Sequence, residues 1–184
     1  MSQYKSALIL IDIQNDYFND GKLPLHQPEA AASKAASILS WFRSRGETVI
    51  HVQHENTDTS KPFLLAGSIG QKIHDSVAPK DGEVVITKGY PNAFWETELE
   101  TTLKQCGVTS IVIVGMMTHM CVSTTVRAAM ERGFTVKVLA DACATRSLGL
   151  FGKEISAELV HTTALAELQM LADVVNCESY RLDA

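Results

Sequence analysis

The sequence predicts an α/β protein of three layers, α/β/α, built on a doubly wound, six-stranded, mainly parallel sheet. Apolar and β-branched runs at 6–13, 48–53, 83–87, 108–115 and 134–139 alternate with stretches of helical period at 28–45, 97–106, 119–132 and 154–171. The runs are apolar on both faces, as strands must be when helices cover both sides of a parallel sheet. Gly46, Gly107 and Gly133 each follow a helical stretch and precede a strand, where a left-handed residue ends a helix.

Taken in order, the first run, Leu8-Ile-Leu-Ile, is stopped by Asp12, and no cleavage-site pattern follows, so it reads as a strand and not as a signal peptide. After the second strand, Asn56 to Gly82 is polar, contains Pro62 and Pro79, and is longer than an ordinary connection, which marks it as functional or as a partner contact. The third strand, Val84-Val-Ile-Thr, ends on Lys88. The fourth, from Ile111, passes through Gly115-Met-Met-Thr-His-Met to Cys121 at the start of an amphipathic helix. Asp141 follows the fifth strand, at the edge where a crevice would open. Lys153, Glu154 and Glu158 read as the exposed face of the last long helix, and Val174-Val175 as a short sixth strand.

Composition bounds what such a chain can do. Its 184 residues, 46% hydrophobic and 20% charged, suit a single domain, 1–184, with a substantial core. The net charge of −5, with scattered Lys and Arg, speaks against a nucleic-acid partner. No run approaches the ~20 apolar residues of a membrane span, so no membrane association is expected. Cys106, Cys121, Cys143 and Cys177 are widely spaced, without a Cys-x-x-Cys pair, which fits a reducing cytoplasm.

In a doubly wound sheet ligands bind at the carboxyl ends of the strands. Three of those ends carry residues a buried strand has no structural reason to hold: Asp12, Lys88 and Cys121. A thiol at the first turn of a helix feels the positive end of the macrodipole, which favours thiolate. A carboxylate nearby could remove the thiol proton and later return one to a leaving group, and an ammonium would lower the thiol pKa and pair with the carboxylate. Each residue taken alone also has a plain reading: an Asp opening a loop, an exposed lysine, a small buried cysteine.

The segments Asp12-Ile-Gln-Asn-Asp16, Lys88-Gly-Tyr-Pro-Asn-Ala-Phe94 and Gly115-Met-Met-Thr-His-Met-Cys121 resemble those of the isochorismatase-like cysteine hydrolase superfamily, which includes nicotinamidases and carbamoylsarcosine amidase. The resemblance covers almost the whole chain. It implies a catalytic triad of Asp12, Lys88 and Cys121, a cis peptide between Met116 and Met117, and an oxyanion hole formed by the N–H groups of Met117 and Cys121. The reaction it implies is attack of the thiol on an amide-type carbonyl and hydrolysis of the resulting thioester. Thr118 is expected to support the turn by a hydrogen bond, and His119 is given no catalytic role.

Nicotinamidases carry an Asp-x-His pair after the second strand for a metal, whereas this chain reads His51-Val-Gln-His54-Glu-Asn56. His51 and His54 lie three apart on a strand and so point to opposite faces, which argues against one shared ion. No metal or other cofactor is expected; His51 reads as a packing residue and His54 as a possible pocket donor. Phe18 and Trp95 could wall the pocket of a small-molecule substrate, with Phe94 more in the manner of core. Cys106, Cys143 and Cys177 read as incidental thiols. By resemblance, a homodimer or homotetramer is expected.

Other readings compete. Isochorismatases proper hydrolyse a vinyl ether and need not keep the cysteine, so Cys121 tilts the chain towards amide chemistry. A nucleotide-binding or other small-molecule-binding module on the same architecture should show Gly-x-Gly-x-x-Gly after the first strand, where this chain has Asp12-Ile-Gln-Asn-Asp-Tyr17. A non-catalytic interaction protein would carry an unreactive Cys121.

Overall fold

A computed structural model describes residues 5–183. Its elements are β1 (Ser6–Ile11), α1 (Pro28–Ser44), β2 (Thr48–His54), β3 (Val84–Lys88), α2 (Leu99–Gln105), β4 (Ser110–Met116), α3 (Ser123–Glu131), β5 (Thr135–Ala144), β6 (Leu148–Leu150), β7 (Lys153–Ile155), α4 (Ala157–Leu168), β8 (Asp173–Val175) and α5 (Cys177–Asp183). Six strands form one sheet in the order β3-β2-β1-β4-β5-β8, and every pairing within it is parallel. The order reverses between β1 and β4, so their carboxyl ends flank the point where a doubly wound sheet opens a crevice.

Both faces of the sheet are covered, which is why its strands read as continuous apolar runs. On one face Leu8, Leu10, Val112 and Val114 pack against Ala35, Ile38, Leu39 and Phe42 of α1 and Tyr180 of α5. On the other, Ile9, Ile11, Ile111 and Ile113 meet Leu103 of α2, Val126 of α3 and Leu168 of α4. Gly46, Gly107 and Gly133 all have positive φ, as the helix ends require.

The structure departs from the sequence reading between 140 and 156. β5 runs on to Ala144, because its register with β4 shifts: Ile113 faces Val138, but Gly115 faces Cys143. Asp141 therefore lies inside this strand, where its Oδ1 accepts from the N–H of Cys177 at 2.8 Å at the start of α5. Lys153 and Glu154 belong to β7, which pairs antiparallel with β6 in a separate two-stranded hairpin, and not to a helix. Helix α4 begins only after Ser156, whose Oγ accepts from the N–H of Leu159 and caps it.

Candidate active site

Register brings the three strand ends together. Ile11 pairs with Gly115 across β1 and β4, and His54 with Lys88 across β2 and β3. Asp12, the residue after β1, has a left-handed backbone (φ 51°) and donates its N–H to the Val52 carbonyl at 2.9 Å. Opposite, Gly115 passes so close to β1 that a Cβ there would lie 2.0 Å from the Ile11 carbonyl oxygen. Only glycine permits that approach, and its φ of 137° likewise suits no other residue.

Lys88 donates from Nζ to Asp12 Oδ2 at 2.7 Å, with both side chains fully buried. The same ammonium lies 3.0 Å from His54 Nδ1. Cys121 is buried beside them, and donor atoms of Asp12, His54 and Cys121 all lie within 4.8 Å of one another. Three such donors could attract a cation, but the Lys88 ammonium already sits among them. Asp12 Oδ1 is buried and has no nitrogen or oxygen partner among the described residues.

Burial pushes the Cys121 thiol well above its ordinary pKa, Asp12 adds to the rise, and Lys88 opposes it. Burial pulls Lys88 down, but the Asp12 carboxylate, with Cys121 adding to it whenever its thiol is ionised, outweighs burial and holds the ammonium charged. Cys121 lies in the first turn of the helical run that continues into α3, as the sequence suggested, and there burial and Asp12 oppose the ionisation that Lys88 favours.

The turn that carries the thiol begins with a cis peptide between Met116 and Met117, as the resemblance implied. A π-turn, Thr118–Val122, follows. The Met117 carbonyl accepts from the N–H groups of Met120 (3.0 Å) and Val122 (3.2 Å), passing over that of Cys121. Thr118 Oγ1 lies 2.9 Å from His161 Nδ1 on α4, and His119 Nδ1 lies 2.5 Å from Thr145 Oγ1, so both turn residues are tied to the segments behind them.

Other expected pocket residues are placed differently. His54 is not a free pocket donor: Nδ1 faces Lys88 and Nε2 faces Asn56 Oδ1 at 3.2 Å. Phe18 stacks on His74 with centroids 3.7 Å apart and lines a cleft with Asn15, Pro62, Leu65 and Ile69, a cleft whose walls include none of Asp12, Lys88 and Cys121. Trp95 is 53% exposed, edge-on to Tyr90, while Phe94 is core. His51 faces away from the site, to Glu83 at 2.9 Å, itself held by Arg43.

Several residues with structural roles here were not singled out from the sequence. Gln14 accepts from the His54 N–H at 2.8 Å and donates to the His54 carbonyl at 2.9 Å and to the Gln71 carbonyl. Asp16 accepts from the N–H groups of Lys22 and Leu64. The 56–82 segment is thus fastened over the loop that follows β1, a role its length and prolines left open. The signal was present in Asp12-Ile-Gln-Asn-Asp16, whose amide and second acid serve the backbone.

The chain is similar to known proteins over most of its length. Residues 6–179 match the Isochorismatase domain family. The chain is 44% identical over 176 residues to the isochorismatase family protein YddQ of Bacillus subtilis, covering 95% of this chain and 98% of that one. It is 30% identical over 160 residues to the maleamate amidohydrolase of Pseudomonas putida, with 77% and 73% covered. An isochorismatase hydrolase structure from Oleispira antarctica superposes with a TM-score of 0.92 at 40% identity, covering 98% of this chain and 97% of that one.

Proposed function

The chain belongs to the isochorismatase family of hydrolases, and from that premise we propose that it is a cysteine hydrolase cleaving the C–N bond of a small amide-type substrate, with Asp12, Lys88 and Cys121 as its catalytic residues. The observation that carries this reading is the burial of an acid, an ammonium and a thiol together at the strand ends beside the turn at Met116–Met117. Support comes also from relatives whose names specify amide hydrolysis, the maleamate amidohydrolase and, at 26% identity, a ureidoacrylate amidohydrolase of Methylobacterium radiotolerans.

In this mechanism the Asp12 carboxylate takes the thiol proton as Cys121 Sγ bonds to the substrate carbonyl carbon. The carbonyl electrons move onto oxygen, to which the N–H groups of Met117 and Cys121 donate hydrogen bonds. Asp12 then returns the proton to the departing nitrogen as the C–N bond breaks, leaving a thioester. Water, deprotonated by Asp12, attacks the thioester and releases the acid, and the proton passes back to the sulfur. Lys88 holds the carboxylate in place and offsets the negative charge that forms on sulfur.

The test is a panel of small primary amides and ureido acids, scored by release of ammonia or amine. Turnover that Cys121→Ala abolishes supports the reading; a confirmed substrate hydrolysed equally well by Cys121→Ala ends it. We infer further that the protein works in a reducing cytoplasm, in keeping with its four free cysteines, and that it forms a homodimer or homotetramer, which solution mass will test. None of its helices among the described residues is long and apolar enough to cross a membrane.

A further inference from the structure

We propose that His54 is a positioning residue for this site: a neutral imidazole, protonated on Nε2, that accepts a hydrogen bond from Lys88 and so fixes the ammonium between Asp12 and Cys121. The proposal rests on the reading of Cys121 as the nucleophile.

An ammonium has three N–H groups and cannot accept, and in a buried site each needs a partner. One goes to Asp12 Oδ2 at 2.7 Å and a second to His54 Nδ1 at 3.0 Å, while Cys121 is the remaining neighbour on the charge. Because Lys88 can only donate, Nδ1 must present its lone pair, which puts the ring proton on Nε2. Nε2 points at Asn56 Oδ1 at 3.2 Å. That oxygen cannot be exchanged for the amide nitrogen, because Asn56 Nδ2 donates to the Phe63 carbonyl at 2.8 Å. Donation therefore runs in a single direction, from Lys88 through His54 and Asn56 to the Phe63 carbonyl, and it starts at the charge beside the thiol.

The backbone is held as firmly as the ring. Gln14, two residues beyond Asp12, clamps both the N–H and the carbonyl of His54, so the carboxylate and the imidazole that share Lys88 are tied to one another through one side chain. Their separation across the ammonium is thereby set by the loop after β1.

The charged groups facing the ring are Lys88 from β3, Asp12 from the end of β1 and Lys61 from the 56–82 segment. Burial and Lys88 favour the neutral ring, in agreement with the donation pattern. Protonation would remove the acceptor and set a second cation against Lys88, so the ammonium would leave its place. A merely structural histidine would have no such effect on the thiol.

The test needs no substrate. The full-length protein, His54→Ala, His54→Asn and Asn56→Asp are treated with iodoacetamide from pH about 5 to 10, and alkylation of Cys121 is read by peptide mass, with Cys121→Ala identifying the signal of the other cysteines. Asparagine places Oδ1 where His54 has Nδ1 and cannot be protonated. Expected are about tenfold slower alkylation of Cys121 near neutrality in His54→Ala, the loss of about one unit's stabilisation of the thiolate, and recovery to within about threefold in His54→Asn. Asn56→Asp, by favouring the imidazolium, should move the acidic limb of alkylation to higher pH. NMR of the native ring should show the proton on Nε2.

Native-like profiles in all three variants, equal loss in His54→Ala and His54→Asn, or a proton found on Nδ1 would each overturn the proposal. Failure of the cysteine-hydrolase reading is seen separately, as amide turnover that survives Cys121→Ala.

Discussion

Replacing Lys88 by Met tests the physical core of the site without assuming a substrate. The Lys88 and Asp12 side chains are both fully buried and joined at 2.7 Å, so neither charge has water to fall back on. Methionine fills much of the same volume, which keeps the cavity contribution small, and the cost is then that of a buried carboxylate left without its counter-charge. Breaking one side of such a pair costs about 3–5 kcal/mol. For a chain of this size, each kcal/mol lowers Tm by roughly 2–4 °C, so the melt should fall by about 6–20 °C. The double variant Asp12→Asn/Lys88→Met removes both charges and should recover a large part of the loss, giving a coupling energy well above about 1 kcal/mol in a double-mutant cycle. Urea denaturation near neutral pH, with circular dichroism as the readout, measures all four proteins. A Lys88→Met protein within about 1 kcal/mol of the parent, or a cycle that closes to zero, would refute the claim that the pair is buried and mutually dependent.

Other perturbations probe neighbouring parts of the fold. Gly115→Ala meets the Ile11 carbonyl oxygen and an unfavourable φ together, so it should cost at least ~2 kcal/mol, whereas Gly46→Ala, with open space around its Cβ, should pay only the left-handed penalty of about 1–2 kcal/mol; thermal melts of the pair compare them. Glu83 is held down to about 2, first by its bonds to Arg43. A depressed carboxylate adds stability that is present above its ordinary pKa, near 4.5, and is lost as pH falls towards 2, so Glu83→Gln should flatten acid denaturation within that window. Ser156→Ala removes the cap of α4 and should cost about 1 kcal/mol by urea titration.

The sheet was legible because a strand buried on both faces leaves an unbroken apolar run, and β1, β2 and β4 are such strands. The hairpin of β6 and β7 was not, since Leu148-Gly-Leu150 and Lys153-Glu-Ile155 are too short to show a period. Glu154 and Lys153 were absorbed into the helix that follows, although Ser156 was the better marker of where α4 starts. The short helix α5 was missed in the same way: its cap, Asn176 accepting from the Ser179 N–H at 2.8 Å, stands beside a strand of three residues. At the site, Asp12, Lys88 and Cys121 could be singled out because polar groups at the ends of apolar strands are conspicuous. His54 was noticed, but not what it does, because a ring's two partners depend on strand register and on a loop residue, Asn56, that spacing does not connect to it. Phe18 and Trp95 show the converse limit: nearness in sequence to Asp12 and Lys88 does not settle which way an aromatic ring points.

The sheet order has a consequence for synthesis on the ribosome. β1 is made first, and β2 and β3 can pair outward from it in turn, yet its other edge waits for β4, about a hundred residues downstream. At roughly 5–20 residues per second, that interval is about 5–20 s. Throughout it the nascent chain presents Ala7-Leu-Ile-Leu-Ile11, apolar and with one row of backbone groups unpaired, as an open template for another chain. Crowded polysomes should therefore favour aggregation of chains arrested before β4 has left the ribosome over those arrested after it has emerged and closed the gap beside β1.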